Sequence, residues 1–236
     1  MSNADFWRIS MQVLKYKHLQ HGGFAGLEER RFVMDSRVFS GRKSPKTAEG
    51  LENFVYLADA NFLPYGETHM HPHKEIDVIS IMAEGNVAHQ GSLKHGENLS
   101  QGEAQVQRAG GEGFSHNEVN PDHTKNQLIQ IWVLPDEAGE RADYKVYRPE
   151  KGQLTHIYGG DKTQNNTMYS KTSIAMVNAK QGQKFSHQGE VIAYISKGEI
   201  TANGEKIYAR TLLRDKNSLE IVVKEDAQII FIYATQ

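Results

Sequence analysis

The sequence contains no cysteine among its 236 residues. Disulfide bonds, zinc–thiolate sites and thiol nucleophiles are therefore excluded. Neither sign of charge is in excess, since 27 basic residues stand against 29 acidic ones. This balance gives no electrostatic reason to expect nucleic acid or an anionic membrane as a partner.

The chain also lacks a long apolar run and a signal-like start. No stretch approaches the roughly 18 consecutive apolar residues that a membrane-spanning helix needs. The opening residues, MSNADFWRIS, contain neither the basic nor the apolar segment of a secretory signal. We therefore expect a cytoplasmic protein with no membrane partner. A chain of this length has room for two domains, each with a sizeable core.

Short strand-like runs are abundant in this sequence. Most are rich in Val, Ile and Tyr and end at Gly, Asn, Asp or Pro, which is the pattern of an all-β sandwich or barrel. Asn203-Gly204 lies between two alternating runs and is the strongest hairpin signal. One short helix is predicted at Asp5–Tyr16. The predicted strands are Phe54–Asp59, Ile76–Met82, Asn86–Gln90, Ala104–Ala109, Leu128–Leu134, Thr172–Asn178, Val191–Ser196, Glu199–Ala202, Glu205–Tyr208, Ser218–Val223 and Gln228–Ala234.

Two segments share a sequence pattern that predicts an internal repeat. Val78–Met82 and Val191–Ser196 are apolar runs, and each leads through a glycine-containing turn into a second strand. This pattern predicts two copies of one β-barrel unit. Charged and turn residues cluster near Pro135–Gly152, which is the predicted linker. We therefore expect one domain at residues 1–149 and another at 150–236.

Histidine is concentrated in one part of the first domain. Seven of the eleven histidines lie between His69 and His123, including HPH at residues 71–73 and HNE at residues 116–118. Residues two apart on a strand point to the same face, so two strands could present three imidazoles and one carboxylate to one interior. Such a set suits Fe(II), Mn, Co, Ni or Cu better than a structural zinc and leaves two open positions on an octahedral ion. A chance cluster of surface histidines is the competing interpretation.

Other residues near these motifs are weaker candidates for a role at the metal site. His69 could line the pocket mouth or act as a ligand. Asp77 is expected to accept a hydrogen bond from a ligand imidazole or to bind the ion itself, with the first role favoured. His89 and His95 lie beside hairpin-like turns and are expected at the surface or in structural roles. The second copy carries only His187, so we expect it to lack a metal.

In this region the chain resembles the pirin family of the bicupin superfamily, including bacterial members described as quercetin 2,3-dioxygenases. The matching elements follow the family order over residues 66–135, with weaker similarity to about Tyr233. They are His71-Pro72-His73-Lys74, the Glu84-Gly85 turn, the Gly102 turn, Gly111, Gly113, His116-Asn117-Glu118-Val119-Asn120 and Gln130-Ile131-Trp132-Val133-Leu134-Pro135. The resemblance implies an all-β bicupin fold, with two antiparallel β-barrels facing each other.

The resemblance also implies a metal site in the N-terminal barrel only, usually holding one Fe(II) ion, with zinc as a further candidate. The implied ligands are His71, His73, His116 and Glu118. The family usually has Glu where Asp77 stands and Met where Arg108 stands. Neither departure removes a ligand, and we expect Arg108 to lie close to the site.

The activity that the resemblance implies is a metal-dependent dioxygenase opening a flavonol such as quercetin. The partners would then be a small aromatic substrate and O₂, and the products a depside and carbon monoxide. Glu118, on or next to the metal, would be the catalytic base that takes the substrate's hydroxyl proton. The alternative is a non-enzymatic iron-binding regulatory protein whose surface for a protein partner responds to metal redox state. A third hypothesis is another cupin reaction on an unknown small molecule.

Overall fold

The computed structural model describes residues 11–94 and 96–235, and almost all of its regular structure is β-strand. The first twelve strands are β1 (Gln12–Lys15), β2 (His21–Phe24), β3 (Leu27–Met34), β4 (Phe54–Phe62), β5 (His71–His73), β6 (Asp77–Glu84), β7 (Asn86–Gly91), β8 (Glu97–Ser100), β9 (Ala104–Arg108), β10 (Phe114–Val119), β11 (Gln127–Val133) and β12 (Asp143–Tyr147). The others are β13 (Thr155–Gly160), β14 (Ser170–Ala179), β15 (Lys184–Gln188), β16 (Val191–Lys197), β17 (Glu199–Ala202), β18 (Glu205–Tyr208), β19 (Thr211–Asp215), β20 (Ser218–Val223) and β21 (Ala227–Ala234). The helical elements are a 3₁₀ turn at Tyr16–His18 and α1 at Ser36–Phe39. Within the described ranges, neither is long and apolar enough to cross a bilayer.

Each half of the chain forms a sandwich of two antiparallel sheets. In the N-terminal unit, a sheet in the order β12-β9-β6-β11-β4-β3-β2 packs on a smaller one in the order β5-β10-β7-β8. In the C-terminal unit the corresponding orders are β1-β19-β16-β21-β14-β13 and β15-β20-β17-β18. The predicted all-β bicupin fold is confirmed, although the sheets of each unit remain open and do not close into barrels.

The strand order also confirms the internal repeat. Adding ten to each label of β9-β6-β11-β4-β3 gives β19-β16-β21-β14-β13, and the same shift converts one small sheet into the other. β12 occupies the edge position beside β9 in the large N-terminal sheet. The corresponding position beside β19 is occupied by β1, which comes from the start of the chain. The domain boundary between residues 149 and 150 stays a prediction, and β1 is the strand that crosses it.

The predicted strands are all present, and their ends lie within three residues of the predicted ones. The Asn203-Gly204 turn joins β17 to β18, and both residues have the positive φ that such a turn requires, 48° and 86°.

Two local predictions are corrected by the strand pairing. The helix predicted at Asp5–Tyr16 is wrong for its second half, since Gln12–Lys15 is strand β1, and its residues 5–10 lie outside the described part of the chain. Pairing with β19 overrides the weak helical preference of this segment. The predicted linker at Pro135–Gly152 contains β12, which extends the large N-terminal sheet.

One apolar core joins the two units. It includes fully buried residues of both, such as Phe32 and Leu57 of the N-terminal unit and Ile192 and Ile230 of the C-terminal unit. Burial of apolar surface is the main favourable term in such an association. The two sandwiches therefore face each other across a shared hydrophobic layer.

Two buried carboxylates of the N-terminal unit lie at this interface and receive hydrogen bonds from tyrosines of the other unit. Tyr194 donates to Asp59 at 2.5 Å, and Tyr158 donates to Asp77 at 2.6 Å. Arg210 also forms an ion pair with Asp59 at 3.2 Å. A buried carboxylate without such partners is costly, so these contacts fix how the units dock.

Replacing Tyr194 with Phe should destabilise the protein more at pH 8 than at pH 5. Burial raises the pKa of Asp59 to about 6, and the Tyr194 hydrogen bond opposes that shift. The bond therefore stabilises the charged carboxylate, which predominates in the folded protein only above about pH 6. We expect a loss of about 1–3 kcal/mol in the free energy of unfolding at pH 8, measured by urea titration of metal-free protein.

The matched control is Tyr208→Phe, because the Tyr208 side chain is exposed. It should change the free energy of unfolding by less than about 0.5 kcal/mol at either pH. An equal loss at both pH values in the Tyr194 variant would contradict the role assigned to this bond.

Candidate metal centre

Two neighbouring strands of the small N-terminal sheet bring three histidines together. β5 is the strand HPH, and it pairs with β10 so that His71 lies opposite His116 and His73 lies opposite Phe114. His71 and His73 are two residues apart and share one face of β5. Pro72 has no N–H to give to a ladder, which suits the edge position of β5 in its sheet. Pairing register and side-chain alternation thus direct three imidazoles to one place.

The three imidazoles converge through the same ring nitrogen. Nε2 of His116 lies 3.0 Å from Nε2 of His71 and 3.2 Å from Nε2 of His73. A first-row ion about 2.1 Å from each nitrogen, with ligand angles of about 90° to 110°, sets those nitrogens about 3.0–3.4 Å apart. The spacing therefore fits one ion. Among the residues that the structure describes, these three form the group whose ligand atoms lie within 4.8 Å of one another.

Burial keeps two of these rings neutral. His116 is almost fully buried, and burial, together with the neighbouring histidines, lowers its pKa to about 2. Burial, with a contribution from His71, also lowers the pKa of His73 to about 4. A neutral imidazole has a lone pair for a metal. Both rings can therefore bind an ion at neutral pH without first releasing a proton.

The far nitrogens of two rings are held by neighbouring polar groups. Nδ1 of His71 donates to the backbone carbonyl of His69 at 2.8 Å, which leaves the lone pair on Nε2. Nδ1 of His116 lies 3.1 Å from the Gln107 amide nitrogen, while the amide oxygen of Gln107 is buried without a partner. Reversing this amide lets the oxygen accept the Nδ1 proton, as the outer partner of a metal-binding histidine usually does.

Glu118 lies in the same pocket and is 2% exposed. Its Oε1 accepts hydrogen bonds from Ser80 Oγ at 2.6 Å and from Gln105 Nε2 at 2.9 Å. Burial raises the pKa of Glu118. Its carboxylate is not in the group defined by the three histidines, so its predicted role as the fourth ligand stays a prediction.

The histidines open into a small aromatic pocket of about 60 Å³. Trp132 and Tyr56 form one wall, with their rings stacked 4.5 Å apart, and the Trp132 ring also meets the His73 ring edge-on at 5.9 Å. Glu29 lines the pocket too, and its carboxylate accepts a hydrogen bond from the Tyr56 hydroxyl at 3.0 Å. The site is therefore an apolar pocket with a few fixed polar groups, as small-molecule sites usually are.

The other histidines with an expected role lie apart from the group of three. His69 is exposed and contributes its carbonyl rather than its ring. His89 is fully buried, with its ring 5.5 Å from that of His116 and 5.4 Å from that of Tyr144. His89 was expected at the surface or in a structural role, and the surface position is wrong. His95 lies outside the described residues.

The expectation for Asp77 is wrong, and the Arg108 side chain bonds to Asp77 rather than lining the metal pocket. Asp77 bonds to Arg108 at 2.9 Å and to Tyr158 at the interface between the units, and to no imidazole. Strand alternation does not continue from His73 to Asp77, because Glu75 adopts a left-handed φ of 51° and the chain turns into another sheet. Arg108 is not among the residues that line the metal pocket. Asp77 and Arg108, two residues that depart from the family pattern, therefore bond to each other.

Sequence reasoning missed the polar residues that support the site. Gln105 and Gln107 are fully buried on β9 and contact Glu118 and His116. Two glutamines that alternate with Ala104 and Val106 were the available signal, because a buried amide requires hydrogen-bond partners. The sequence alone does not say which strand faces β9.

At two of the positions that correspond to the proposed ligands, the C-terminal unit has apolar residues. His187 lies opposite Leu219 in the β15–β20 pair, as the first ligand histidine lies opposite His116 in the β5–β10 pair. When the glycine turns after β6 and β16 are aligned, the registers place Leu219 and Ile221 at the positions of His116 and Glu118. That this unit lacks a metal stays a prediction, and the apolar replacements support it.

Comparison with known proteins shows similarity to the pirin family. The pirin family model matches residues 36–133. A Pseudomonas aeruginosa relative is 28% identical over 176 residues, which are 69% of this chain and 75% of that protein. Quercetin 2,3-dioxygenase of Escherichia coli K12 is 27% identical over 169 residues, or 68% of this chain and 73% of that enzyme.

A solved structure supports the same fold. The bacterial pirin YhhW of Escherichia coli, in complex with nickel(II), has a TM-score of 0.80 and 22% sequence identity, and the match covers 96% of this chain and all of that one. The resemblance to the pirin family is therefore confirmed, and the match to the family model covers residues 36–133 of this bicupin chain.

Replacing Gln107 with Leu should weaken metal binding by about 10- to 100-fold, because the His116 Nδ1 proton loses its acceptor. Nickel(II) titration of metal-free protein measures the affinity. Gln188→Leu is the matched control, since Gln188 is exposed on β15 of the other unit. Unchanged nickel affinity in a folded Gln107 variant would show that this amide does not support the site.

Proposed function

We propose that this protein is a metal-dependent oxidoreductase that uses O₂ to open a flavonol-like aromatic substrate such as quercetin. The observation that carries the proposal is the convergence of three imidazole nitrogens, 3.0 and 3.2 Å apart, in an aromatic pocket. The quercetin 2,3-dioxygenase name of a relative supports the choice of substrate. The fold alone supports no particular reaction.

His71, His73, His116 and Glu118 would hold the ion, with Fe(II) as the proposed metal. Nitrogen and oxygen donors without a thiolate suit Fe(II), and they also suit the nickel present in the related pirin structure. When bound, the ion would supply O₂ activation and polarisation of the substrate's oxygen atoms. The neutral rings of His73 and His116 are ready for this role because burial lowers the pKa of each.

Glu118 is the proposed base for the substrate's hydroxyl proton. Burial raises the pKa of Glu118, which strengthens the carboxylate as a proton acceptor. Ser80 and Gln105 hold Oε1, and no hydrogen bond among the described residues reaches Oε2. Oε2 is therefore the atom that we assign to the proton transfer.

The pocket walls would select an aromatic ring and exclude water. Tyr56 and Trp132 form a stacked pair, and Phe62 and Leu128 add buried apolar surface. A ring lying against these side chains gains from apolar burial and from aromatic contact. An enclosed apolar wall also strengthens the electrostatic interactions of the polar groups beside it.

Glu118→Gln should lower oxygen consumption with quercetin by at least about 100-fold, the usual size of a general-base contribution, while keeping most of the metal. The amide can still offer an oxygen to the ion, but it cannot accept the proton. His73→Ala should lose both metal and activity, since two imidazoles and a carboxylate would remain. Metal content and oxygen uptake are measured on both variants, together with carbon monoxide release by the wild type.

Equal metal loss in the two variants would show that Glu118 is a ligand without a proton-transfer role. A metal-loaded wild type that consumes no oxygen with quercetin would contradict the proposed reaction. Asp77→Asn is the matched control for Glu118→Gln, because it also replaces a buried carboxylate with an amide. It alters the interface between the units and should leave the metal content unchanged.

A further inference from the structure

The size of the metal pocket limits what can reach the ion. Its volume is about 60 Å³, whereas sites for drug-sized ligands measure about 300–1,000 Å³. The pocket is therefore far smaller than a site that encloses a multi-ring ligand. A single six-membered ring is closer to the size of the pocket than a three-ring flavonol is.

Most apolar side chains of the pocket wall also belong to the protein core. Leu27, Phe62 and Leu128 are buried in one cluster between the two N-terminal sheets. Moving any of them would disturb close packing that extends well beyond the site. These residues therefore set the width of the pocket rigidly.

Phe24 is the exception among these wall residues. It ends the edge strand β2, its side chain is 50% exposed, and it belongs to none of the buried clusters of the described chain. A large apolar side chain that is half in water and half against a pocket forms the rim of that pocket. Shortening it would enlarge the entrance at little cost to the core.

The backbone beside Phe24 is held in place. Gly26 donates to the Glu67 carbonyl at 3.2 Å and accepts from the Leu63 N–H at 2.9 Å. A Cβ added at Gly26 would lie 2.6 Å from the Gly66 Cα, so the hairpin tip packs directly on the next loop. The position of the Phe24 ring is thus set by packing around the hairpin.

We infer that Phe24 is a specificity-determining residue that makes the site favour a single-ring substrate with adjacent hydroxyl and carbonyl oxygens over a three-ring flavonol. This inference rests on the proposed function, because it requires an ion on the three histidines to which those oxygens bind. It deepens the proposed function by ranking substrates: a molecule in which the ring with the chelating oxygens stands alone is favoured. A three-ring flavonol still binds, but more weakly, because its further rings meet the rim at Phe24.

Binding to nickel-loaded protein tests this without relying on turnover. The two probes are 3-hydroxy-2-methyl-4-pyranone, a single ring with adjacent hydroxyl and carbonyl groups, and quercetin, which carries the same groups on a larger frame. Absorbance titration without oxygen gives the dissociation constants, and metal analysis after each titration excludes removal of nickel by the probe. Phe24→Ala should tighten quercetin binding by at least about tenfold and change pyranone binding by less than about threefold.

The control is Leu154→Ala, which removes an exposed apolar side chain in the C-terminal unit and should leave both dissociation constants unchanged. If the protein binds the pyranone but the wild type and the Phe24 variant bind quercetin equally well, the inference is overturned and the proposed function stands. Nickel-loaded protein that binds neither probe in any variant would overturn both. Equal tightening of both probes in the Phe24 variant would also overturn the size restriction.

Discussion

The register between β5 and β10 is the constraint on which the candidate site depends. Because side chains alternate along a strand, a slip of one residue would turn the ligand rings to the other face. Gly91 lies opposite His116 on the other side of β10 and leaves room for the His89 ring, since a Cβ there would lie 2.6 Å from His89 Nε2 and 3.2 Å from the His116 Cβ. Strand pairing, rather than loop conformation, therefore positions the three nitrogens.

The two units show how one framework carries a cluster of three histidines in one copy and apolar side chains at matching positions in the other. Their sheets share the same strand order, so the difference lies in side chains such as Leu219 and Ile221. The C-terminal unit contributes Tyr158 and Tyr194, which bond to buried carboxylates of its partner unit. In this arrangement the second copy stabilises the first, and the large sheets meet through a common apolar core.

The sequence predicted the fold class, the repeat and the histidine pair on β5, because strand periodicity and turn residues are local signals. It did not predict the bond from Asp77 to Arg108, since a turn at Glu75 breaks the alternation on which the expectation depended. Nor did it place Gln107 beside a ligand or Phe24 at the pocket rim. Those positions depend on which strands become neighbours, which is a long-range property of the chain.

The central claim is that three histidines on two paired strands hold one metal ion per chain. X-ray absorption at the metal edge, combined with elemental analysis of protein purified without a histidine tag, tests it directly. The account predicts one ion per chain with three imidazole nitrogens at about 2.0–2.2 Å. Two tightly bound ions per chain, or an ion with fewer than two imidazole ligands, would contradict it.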